Sequence, residues 1–586
     1  MNKINYPNPQ KIRKNWLDLN GQWQVYFPEN ETDCSLFPEN NLFTQTIEVP
    51  YSYTFKRSQV AKKDYQPVMW YAKELDLVIQ QDKNYLLQFE AVDYICDIWV
   101  NDQFVYQHVG GNTPFEVNLT PFLSEKNTIK IKVTDYNLVN QGLGKQKWKK
   151  ENFLCWYTRT MGIWQNVWLE ETGRTYLTNV EMIPNIHTAS IEIDAFINDP
   201  QAEAMIESKV YYQGELINTL ITSFKEGRAK YTVDVSSNSA HFRLHYWSPQ
   251  DPNLYDVEFR ILQDGRVTDE ISSYFGMRHI ESHEGRIYLN DQEIYQKLIL
   301  NQGYYFEGGL TGTVEEMTDD LMKIKEMGFN GHRIHQKVEN HRMLYLCDTL
   351  GLLTWAEFPS TFEFSQQSVN NTMHEIPAFV QKHINHPSII CYVAMNESWG
   401  INEISHNVKE QNFVNALYYQ IKALDHTRLV IGNDGWEQTI TDIATVHDYN
   451  SNEKTLIESY ATEEIATKRS PSLTSGRKTY VAGYAQQNIP YMISEYGGVA
   501  YEENSNGESW GYGDRLTDKE AVLGKIEALT KAVMKVDFAC GFCYTQLTDV
   551  EQEVNGLLTA DRKYKFAPEK IKEMLDSDRQ YGFIFK

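Results

Sequence analysis

Long apolar runs are missing from this 586-residue chain. No segment approaches the ~18 consecutive apolar residues that a membrane-spanning helix needs. Met1–Trp16 is polar and lacks the apolar core of a signal peptide. Cysteine is scarce: seven residues, at 34, 96, 155, 347, 391, 540 and 543, are scattered and odd in number. A reduced, cytoplasmic setting is the expectation. The one Cys-x-x-Cys, Cys540 to Cys543, lies in an apolar, strand-like run, with no second ligand pair at zinc spacing. That placement points away from redox or metal chemistry. Positive charge is also short, with 55 Lys and Arg against 79 Asp and Glu, a net −24 at pH 7. Such a surface repels phosphate backbones and anionic membranes, so neither nucleic acid nor a membrane is an expected partner.

The composition that remains, 41% hydrophobic and 23% charged, is that of a globular protein and excludes global disorder. The length exceeds what one core holds, ~250–300 residues, and predicts about three domains. Aromatics reach 13%. An excess of rings suits sugar binding and equally suits the cores of β-sandwiches.

Two stretches read as β. In residues 1–174, short runs such as Leu86–Phe89, Ile98–Val100, Phe104–Tyr106 and Ile129–Val133 are separated by turn residues, which predicts a β-sandwich. In 175–277, Ser190–Ile197 alternates, with Ile191, Ile193 and Ala195 on one face and Glu192 and Asp194 on the other. Lys209–Tyr212, Tyr231–Val235, Phe242–Trp247 and Val257–Leu262 repeat the pattern, predicting an immunoglobulin-like sandwich without a disulfide. From 278 to 586 strands alternate with helical patterns. Thr313-x-x-Glu316 is a capping box, followed by Val314, Met317, Leu321 and Ile324 on one face; Val414, Leu417, Tyr418, Ile421 and Leu424 share another. The strand candidates number eight: Ile294–Leu300, Gly331–His335, Leu352–Ala356, Ile389–Met395, Leu429–Gly432, Ala444–His447, Met492–Ser494 and Ala539–Tyr544. An open sheet is not excluded, but the count favours a (β/α)8 barrel.

Such barrels carry their chemistry at the C-terminal strand ends. The second strand delivers Arg333 and His335, the third Glu357, the fourth Asn396 and Glu397. The sixth delivers His447, Asp448 and Tyr449, the seventh Glu495, the eighth Tyr544. A buried salt bridge would account for either Glu397 or Glu495 alone. Two carboxylates at facing strand ends, with Arg333 and Tyr449 as partners, fit glycoside hydrolysis, in which one group is a protonated acid and the other an ionised nucleophile.

These residues also carry a resemblance. Asn385-His386-Pro387-Ser388 followed by Met395-Asn396-Glu397-Ser398-Trp399-Gly400 resembles the acid/base signature of glycoside hydrolase family two, and Ser494-Glu495-Tyr496-Gly497-Gly498 its nucleophile segment. Tyr157-Thr158-Arg159, Gly162-Ile163-Trp164 and Val167-Trp168-Leu169 resemble its sugar-binding jelly roll; Trp247-Ser248-Pro249 and Leu254-Tyr255 resemble its immunoglobulin-like domain. Gly276-Met277-Arg278, Gly328-Phe329-Asn330 and Trp355-Ala356-Glu357 resemble the opening of its barrel. The resemblance implies a retaining double displacement on a terminal β-linked sugar. Glu495 is then the nucleophile, Glu397 the acid/base and Asn396 a donor to the 2-hydroxyl. Tyr449 hydrogen-bonds the nucleophile and Arg333 lies beneath it. Tyr544 stands where many members stack a Trp on the sugar; barrel filling is the other reading. His335 and His447 are candidates to touch substrate hydroxyls, Glu357 to order the pocket, and Asp448 to pair with a sugar or with Arg333.

The chain departs from the family's galactosidases at His335-Gln336-Lys337-Val338, where theirs read Ser-His-Tyr-Pro. Their acidic magnesium ligand falls near Ser360, so no catalytic metal and no cofactor are expected. A jelly-roll Asp that reads a sugar hydroxyl appears as Trp156, itself a candidate stacking platform. The Asn-x-Lys of glucuronidases is replaced by Glu553-Val554-Asn555-Gly556, which leaves a uronate without a cation there. The expectation is therefore a terminal neutral β-linked sugar, of β-galactoside type or a related hexoside or pentoside. The alternatives are a β-glucuronidase or a transglycosylase on the same scaffold, or a non-catalytic carbohydrate-binding protein. The partner is a carbohydrate, and family analogy implies a homo-oligomer.

Overall fold

A computed structural model describes residues 3–236, 244–468, 477–501, 509–512 and 515–576. The first domain is two antiparallel sheets. One runs Trp16–Asp18, Val167–Gly173, Lys83–Phe89, Phe115–Asn118 in spatial order. The other runs Gln45–Val49, Gly21–Tyr26, Val68–Asp76, Lys126–Thr134, Ile95–Val100, Gln103–Val109. Inward residues of both, among them Trp23, Ile47, Leu87, Ile98 and Ile131, form one core. The second domain packs three strands (Leu177–Asn185, Ser190–Ile197, Arg228–Asp234) on four (Glu215–Ser223, Met205–Tyr212, Tyr255–Gln263, Arg266–Phe275). The alternation read in Ser190–Ile197 is real: Ile191, Ile193 and Ala195 are buried in the core between the sheets. Asp194 is buried as well, against expectation, because Arg228 forks onto it. Of the strand expected at Phe242–Trp247, Phe242 and Arg243 lie outside the described residues, and Tyr246 and Trp247 form only isolated bridges.

Eight parallel strands follow: β1 (Gln296–Asn301), β2 (Gly331–Ile334), β3 (Leu353–Glu357), β4 (Ile389–Val393), β5 (Leu429–Ile431), β6 (Ala444–Asp448), β7 (Tyr491–Gly497) and β8 (Ala539–Thr545). Each pairs with its neighbours in the order β5-β4-β3-β2-β1-β8-β7-β6. The seam between β5 and β6 is bridged by single backbone hydrogen bonds, Asp442 N to Val430 O at 2.8 Å and His447 N to Gly435 O at 3.3 Å. The barrel is thus nearly closed. Helix α1 (Val314–Glu326) begins at the Thr313–Glu316 capping box and buries Met317, Leu321 and Ile324. Cys540 and Cys543 are buried, free thiols in β8, and burial pushes both above their ordinary pKa, Cys540 to about 12. Neither has the lowered pKa of a redox thiol. None of the described helices is long and apolar enough to cross a membrane.

The domains are clamped by buried polar residues. Arg13 holds Asp269 of the second sandwich at 2.8 Å and also Glu170 of the first. The Asn-His-Pro-Ser motif acts at the junction rather than at the barrel's open end. Asn385 bonds Met182 N and Val180 O of the second sandwich, both at 2.8 Å. His386 meets Asp348 at 2.6 Å, and Pro387 O accepts from Arg278 at 2.9 Å.

One excursion of the first sandwich matters most. The segment after Thr134 leaves its sheet and crosses the barrel's C-terminal end, where Leu143 N and Gly144 N both donate to Ser360 O at 3.1 Å. Gly144 has φ +57°, and a Cβ there would stand 2.2 Å from Gln336 O. Only glycine allows so close an approach. It sets the next residue, Lys145, against the site.

Candidate active site

Arg333, at the end of β2 and fully buried, is the hub. Its Nε reaches Glu357 at 2.9 Å, its Nη1 reaches Glu495 at 2.9 Å and Asp434 at 2.5 Å, and its Nη2 donates to Asn396 Oδ1 at 2.8 Å. Four strands thereby converge on one guanidinium, whose planar fork suits several carboxylates at once. The same bond fixes the Asn396 amide: its oxygen faces Arg333, so its Nδ2 is the outward donor. That nitrogen is buried without a partner among the described residues.

His447 is the second hub. Its Nδ1 lies 2.8 Å from Glu397 Oε1, and its Nε2 lies 3.0 Å from Asp434 Oδ2 and 3.4 Å from Glu495 Oε1. Burial works against its charge, but Glu495 and Asp434 outweigh it and raise its pKa to about 10. It is an imidazolium with a proton for a carboxylate on each side. Glu357 is held down to about 2: burial would raise it, and Arg333 and His335 more than offset this. Glu495 likewise lies below the ordinary carboxylate range; burial is overcome by His447 and Arg333, and the Tyr449 hydroxyl donates to its other oxygen. Glu495 is 3% exposed and Glu397 17%, so only the latter faces open space to any extent. One oxygen of each, with a nitrogen of His447, lie within 4.8 Å of one another. This trio has the spacing of a cation site, where a metal would compete with the His447 proton. A second group with that spacing, His187, His279 and Asp291, lies on the surface.

Glu397 and Ser398 have φ of +51° and +55°. Two consecutive left-handed non-glycine residues are costly unless held. The β5 loop holds them: Glu397 N donates to Asp434 O at 2.9 Å and Ser398 N to Asn433 Oδ1 at 3.0 Å. The strain aims the Glu397 side chain across the barrel mouth.

Of the residues singled out in the sequence, Arg333, His335, Glu357, Asn396, Glu397, His447, Tyr449 and Glu495 are brought together. His335 meets Glu357 at 2.9 Å, and burial keeps its pKa low. Asp448 points elsewhere. Its oxygens take Asn450 N and the Tyr460 hydroxyl, both at 3.0 Å, so it does not pair with Arg333. Tyr544 also faces away. Strand alternation turns it outward, where it is buried among Phe329, Tyr496 and Leu557 under the helices, and it is not a sugar platform. Thr545, one residue on, faces the site and lies 3.1 Å from the Tyr449 hydroxyl. Trp156 joins a ring cluster, with its centroid 5.4 Å from Trp399 and 5.2 Å from Trp148.

Three residues were missed in the sequence. Asp434 follows a strand as short as β5, and an Asn-Asp-Gly after an apolar run reads as a turn; its place at a strand end was the available signal. Glu553 is buried, and Asn555 Nδ2 and the Tyr157 hydroxyl donate to it. Lys145 is buried beside it, with its ammonium 5.3 Å above the Trp399 ring; burial lowers its pKa, but Cys155, Glu553 and Glu495 raise it above the ordinary value overall. No cation was expected near Glu553, and one arrives from another domain.

A barrel whose open end gathers two facing carboxylates, one ionised and one solvent-reachable, beneath a sandwich-domain loop defines the class of multidomain glycoside hydrolases. Family models agree along the chain: "Glycosyl hydrolases family 2, sugar binding domain" matches residues 6–173, "Glycosyl hydrolases family 2" matches 175–278, and "Glycosyl hydrolases family 2, TIM barrel domain" matches 280–577. The chain belongs to glycoside hydrolase family 2. It is 23% identical to a β-galactosidase of Thermoanaerobacter pseudethanolicus over 85% of this chain and 68% of that protein. To a β-glucuronidase of Streptococcus agalactiae it is 25% identical over 72% of each. The solved GH2 β-galacturonidase of Eisenbergiella tayi shares the fold, with a TM-score of 0.75 over 96% of this chain and 97% of that one at 18% identity. Of further family β-galactosidases the chain spans as little as 36% of the length.

Proposed function

We propose that this protein is a retaining exo-β-glycosidase acting on a terminal neutral sugar. The observation that carries the reading is the pair Glu495 and Glu397. The first is ionised between Arg333, His447 and Tyr449; the second reaches solvent; and their oxygens are within 4.8 Å. Retaining enzymes place the two groups ~5–5.5 Å apart and inverting enzymes ~6.5–9.5 Å. Glu495 attacks the anomeric carbon. Glu397 protonates the leaving oxygen and then takes a proton from the water that releases the glycosyl group. The unpartnered Asn396 Nδ2 donates to the sugar 2-hydroxyl, a bond that strengthens as positive charge develops on the ring. Glu357, Asp434 and Glu495 already occupy Arg333 and His447, so neither cation is free for a sugar carboxylate, which favours a neutral ring.

Lys145 favours a second reading, a uronide, because a buried ammonium is a natural partner for a sugar carboxylate. A panel of nitrophenyl β-galactoside, glucoside, fucoside, glucuronide and galacturonide separates the two. Turnover confined to neutral sugars and lowered by ~10³-fold or more in Glu495→Gln supports the proposal. Equal turnover by Glu495→Gln and Glu397→Gln would remove it, and turnover confined to uronides would replace it with the second reading.

A further inference from the structure

Beyond Lys145 the same loop builds a second feature. Residues 147–154 wall an open cleft of about 1540 Å3, completed by the first sandwich near Tyr65, by Trp510 and by the Glu551-Gln552 turn after β8. Its charge opposes that of the chain, which carries 79 acidic against 55 basic residues. Among the described residues Lys56, Lys63, Lys147, Lys149, Lys150, Arg159 and Arg515 line it, against Asp64, Glu151 and Glu551. Lys56 is paired with Glu307. Lys149 and Arg159 lie 4.3 Å over the rings of Phe153 and Tyr65, contacts that orient a cation without neutralising it. Glu551 is occupied, accepting from Thr158 N at 2.9 Å and from Asn152. The Oδ1 of Asn152 is left buried without a partner among the described residues.

The cleft also gathers rings that water does not favour. Tyr65, Tyr136 and Phe306 are 40%, 57% and 72% exposed, and all three line it. Exposed rings interleaved with cations offer flat apolar faces for pyranose rings and charges for anionic substituents.

A chain of rings leads inward. Trp148, in the cleft wall, is 4.1 Å from Phe362 and 5.2 Å from Trp156, which is 5.4 Å from Trp399, two residues past Glu397. On the other side Trp510 is 4.6 Å from Tyr512, which stacks at 3.6 Å on Tyr449. Both ring chains thus run from the cleft wall to residues beside Glu397 and Glu495.

We propose that this cleft binds the leaving-group side of an acidic oligosaccharide, one whose units carry carboxylate or sulfate groups; this rests on the reading of Glu397 as acid/base. A chain of net charge −24 repels such a polymer on average, so a basic cleft steers its approach.

The test uses the full chain carrying Glu495→Gln and measures binding calorimetrically. The probes are hexagalacturonate (carboxylates only), a κ-carrageenan hexasaccharide (sulfates only) and cellohexaose (neither). One or both acidic chains should bind about tenfold or more tighter than cellohexaose, and which of them does so identifies the anionic group. The margin should shrink as NaCl rises from 50 to 500 mM and vanish in Lys149→Glu/Lys150→Glu, two exposed positions. Equal affinity for all three probes overturns the proposal, as does a margin that survives both salt and charge reversal. Wild-type turnover of the nitrophenyl panel, whose leaving groups are too short to span the cleft, tests the catalytic reading separately. Turnover without an acidic preference sinks the cleft alone. An acidic preference without turnover removes its assignment to the leaving-group side.

Discussion

Arg333 and the lysines of the neighbouring loop carry the same charge in opposite surroundings. Arg333 is fully buried and satisfied by three carboxylates and an amide oxygen. Lys149 and Lys150 are exposed, and the one ring contact seen for Lys149 leaves its charge free to act outward. The first arrangement freezes geometry, because each partner would be an uncompensated buried charge without the others. The second stores electrostatic potential for something that arrives from solution. A centre that must hold a nucleophile to fractions of an ångström uses the first, and a surface that must accept a variable chain uses the second.

The comparison breaks most visibly at Arg333→Met. Glu357, Asp434 and Glu495 would be left buried around one imidazolium. The expected outcome is a loss of ~3–5 kcal/mol in denaturant-monitored stability and of about 10³-fold or more in kcat. Lys149→Met should cost under ~0.5 kcal/mol. Comparable losses in the two variants would show that the hub is not over-determined.

His447 gives the next largest effect, and pH reads it. Its folded pKa is about 10, above the ordinary 6.5, so the native state binds the proton more tightly than the unfolded chain. That stability is fully present below pH 6.5 and is lost as pH rises through about 10. Glu357 sets the other flank: held at about 2 against an ordinary 4.5, its contribution is present above pH 4.5 and is lost as pH falls through 2. Stability from pH 7 to pH 10 should therefore fall by a few kcal/mol in the wild type, and much less in His447→Asn. A parallel decline in both proteins would assign the slope to other groups.

The barrel strands, α1 and the alternation of Ser190–Ile197 were legible because each rests on local periodicity and a buried face. So were Glu397, Glu495 and Arg333, which stand where apolar strands end. Lys145 was not legible. It sits in an irregular polar loop, and only the close approach of Gly144 to Gln336, far apart in the chain, puts it in the site. Asp434 was lost although the fifth strand was read at Leu429–Gly432, because the Asn-Asp-Gly that follows it looks like an ordinary turn. The Asn-His-Pro-Ser motif was legible as a family mark, but its physical task, tying β4 to the second sandwich, shows only in the contacts of Asn385 and His386.

Lys145 sharpens the comparison, since it is a loop lysine placed in the buried regime. Replacing it with Met keeps the packing on Trp399 and removes the charge. A charged hydrogen bond to substrate is worth ~1.5–3 kcal/mol, which predicts a fall of roughly 10–100-fold in kcat/KM. With a neutral glycone the loss should be similar for all accepted sugars; with a uronide it should fall mainly on that substrate. Unchanged kinetics on every substrate would make Lys145 a structural counter-charge to Glu553.

The smallest effect is expected at Tyr544, which separates what the strand ends share from what they present. Tyr544 and Thr545 are neighbours on β8, and alternation sends them to opposite sides. The Tyr544 hydroxyl is buried with no partner among the described residues, and its ring packs edge-on to Tyr496 at 5.5 Å. Tyr544→Phe keeps the ring and deletes an unsatisfied polar group, so stability should stay level or rise by up to ~1 kcal/mol, with kcat and KM unmoved. Thr545→Val, which removes the hydroxyl 3.1 Å from Tyr449, should lower kcat by a few-fold instead, because Tyr449 then has one partner fewer to hold it against Glu495. A KM that rises in Tyr544→Phe while Thr545→Val is silent would mean that the eighth strand presents its other face to the sugar, contrary to the alternation seen at Tyr544 and Thr545.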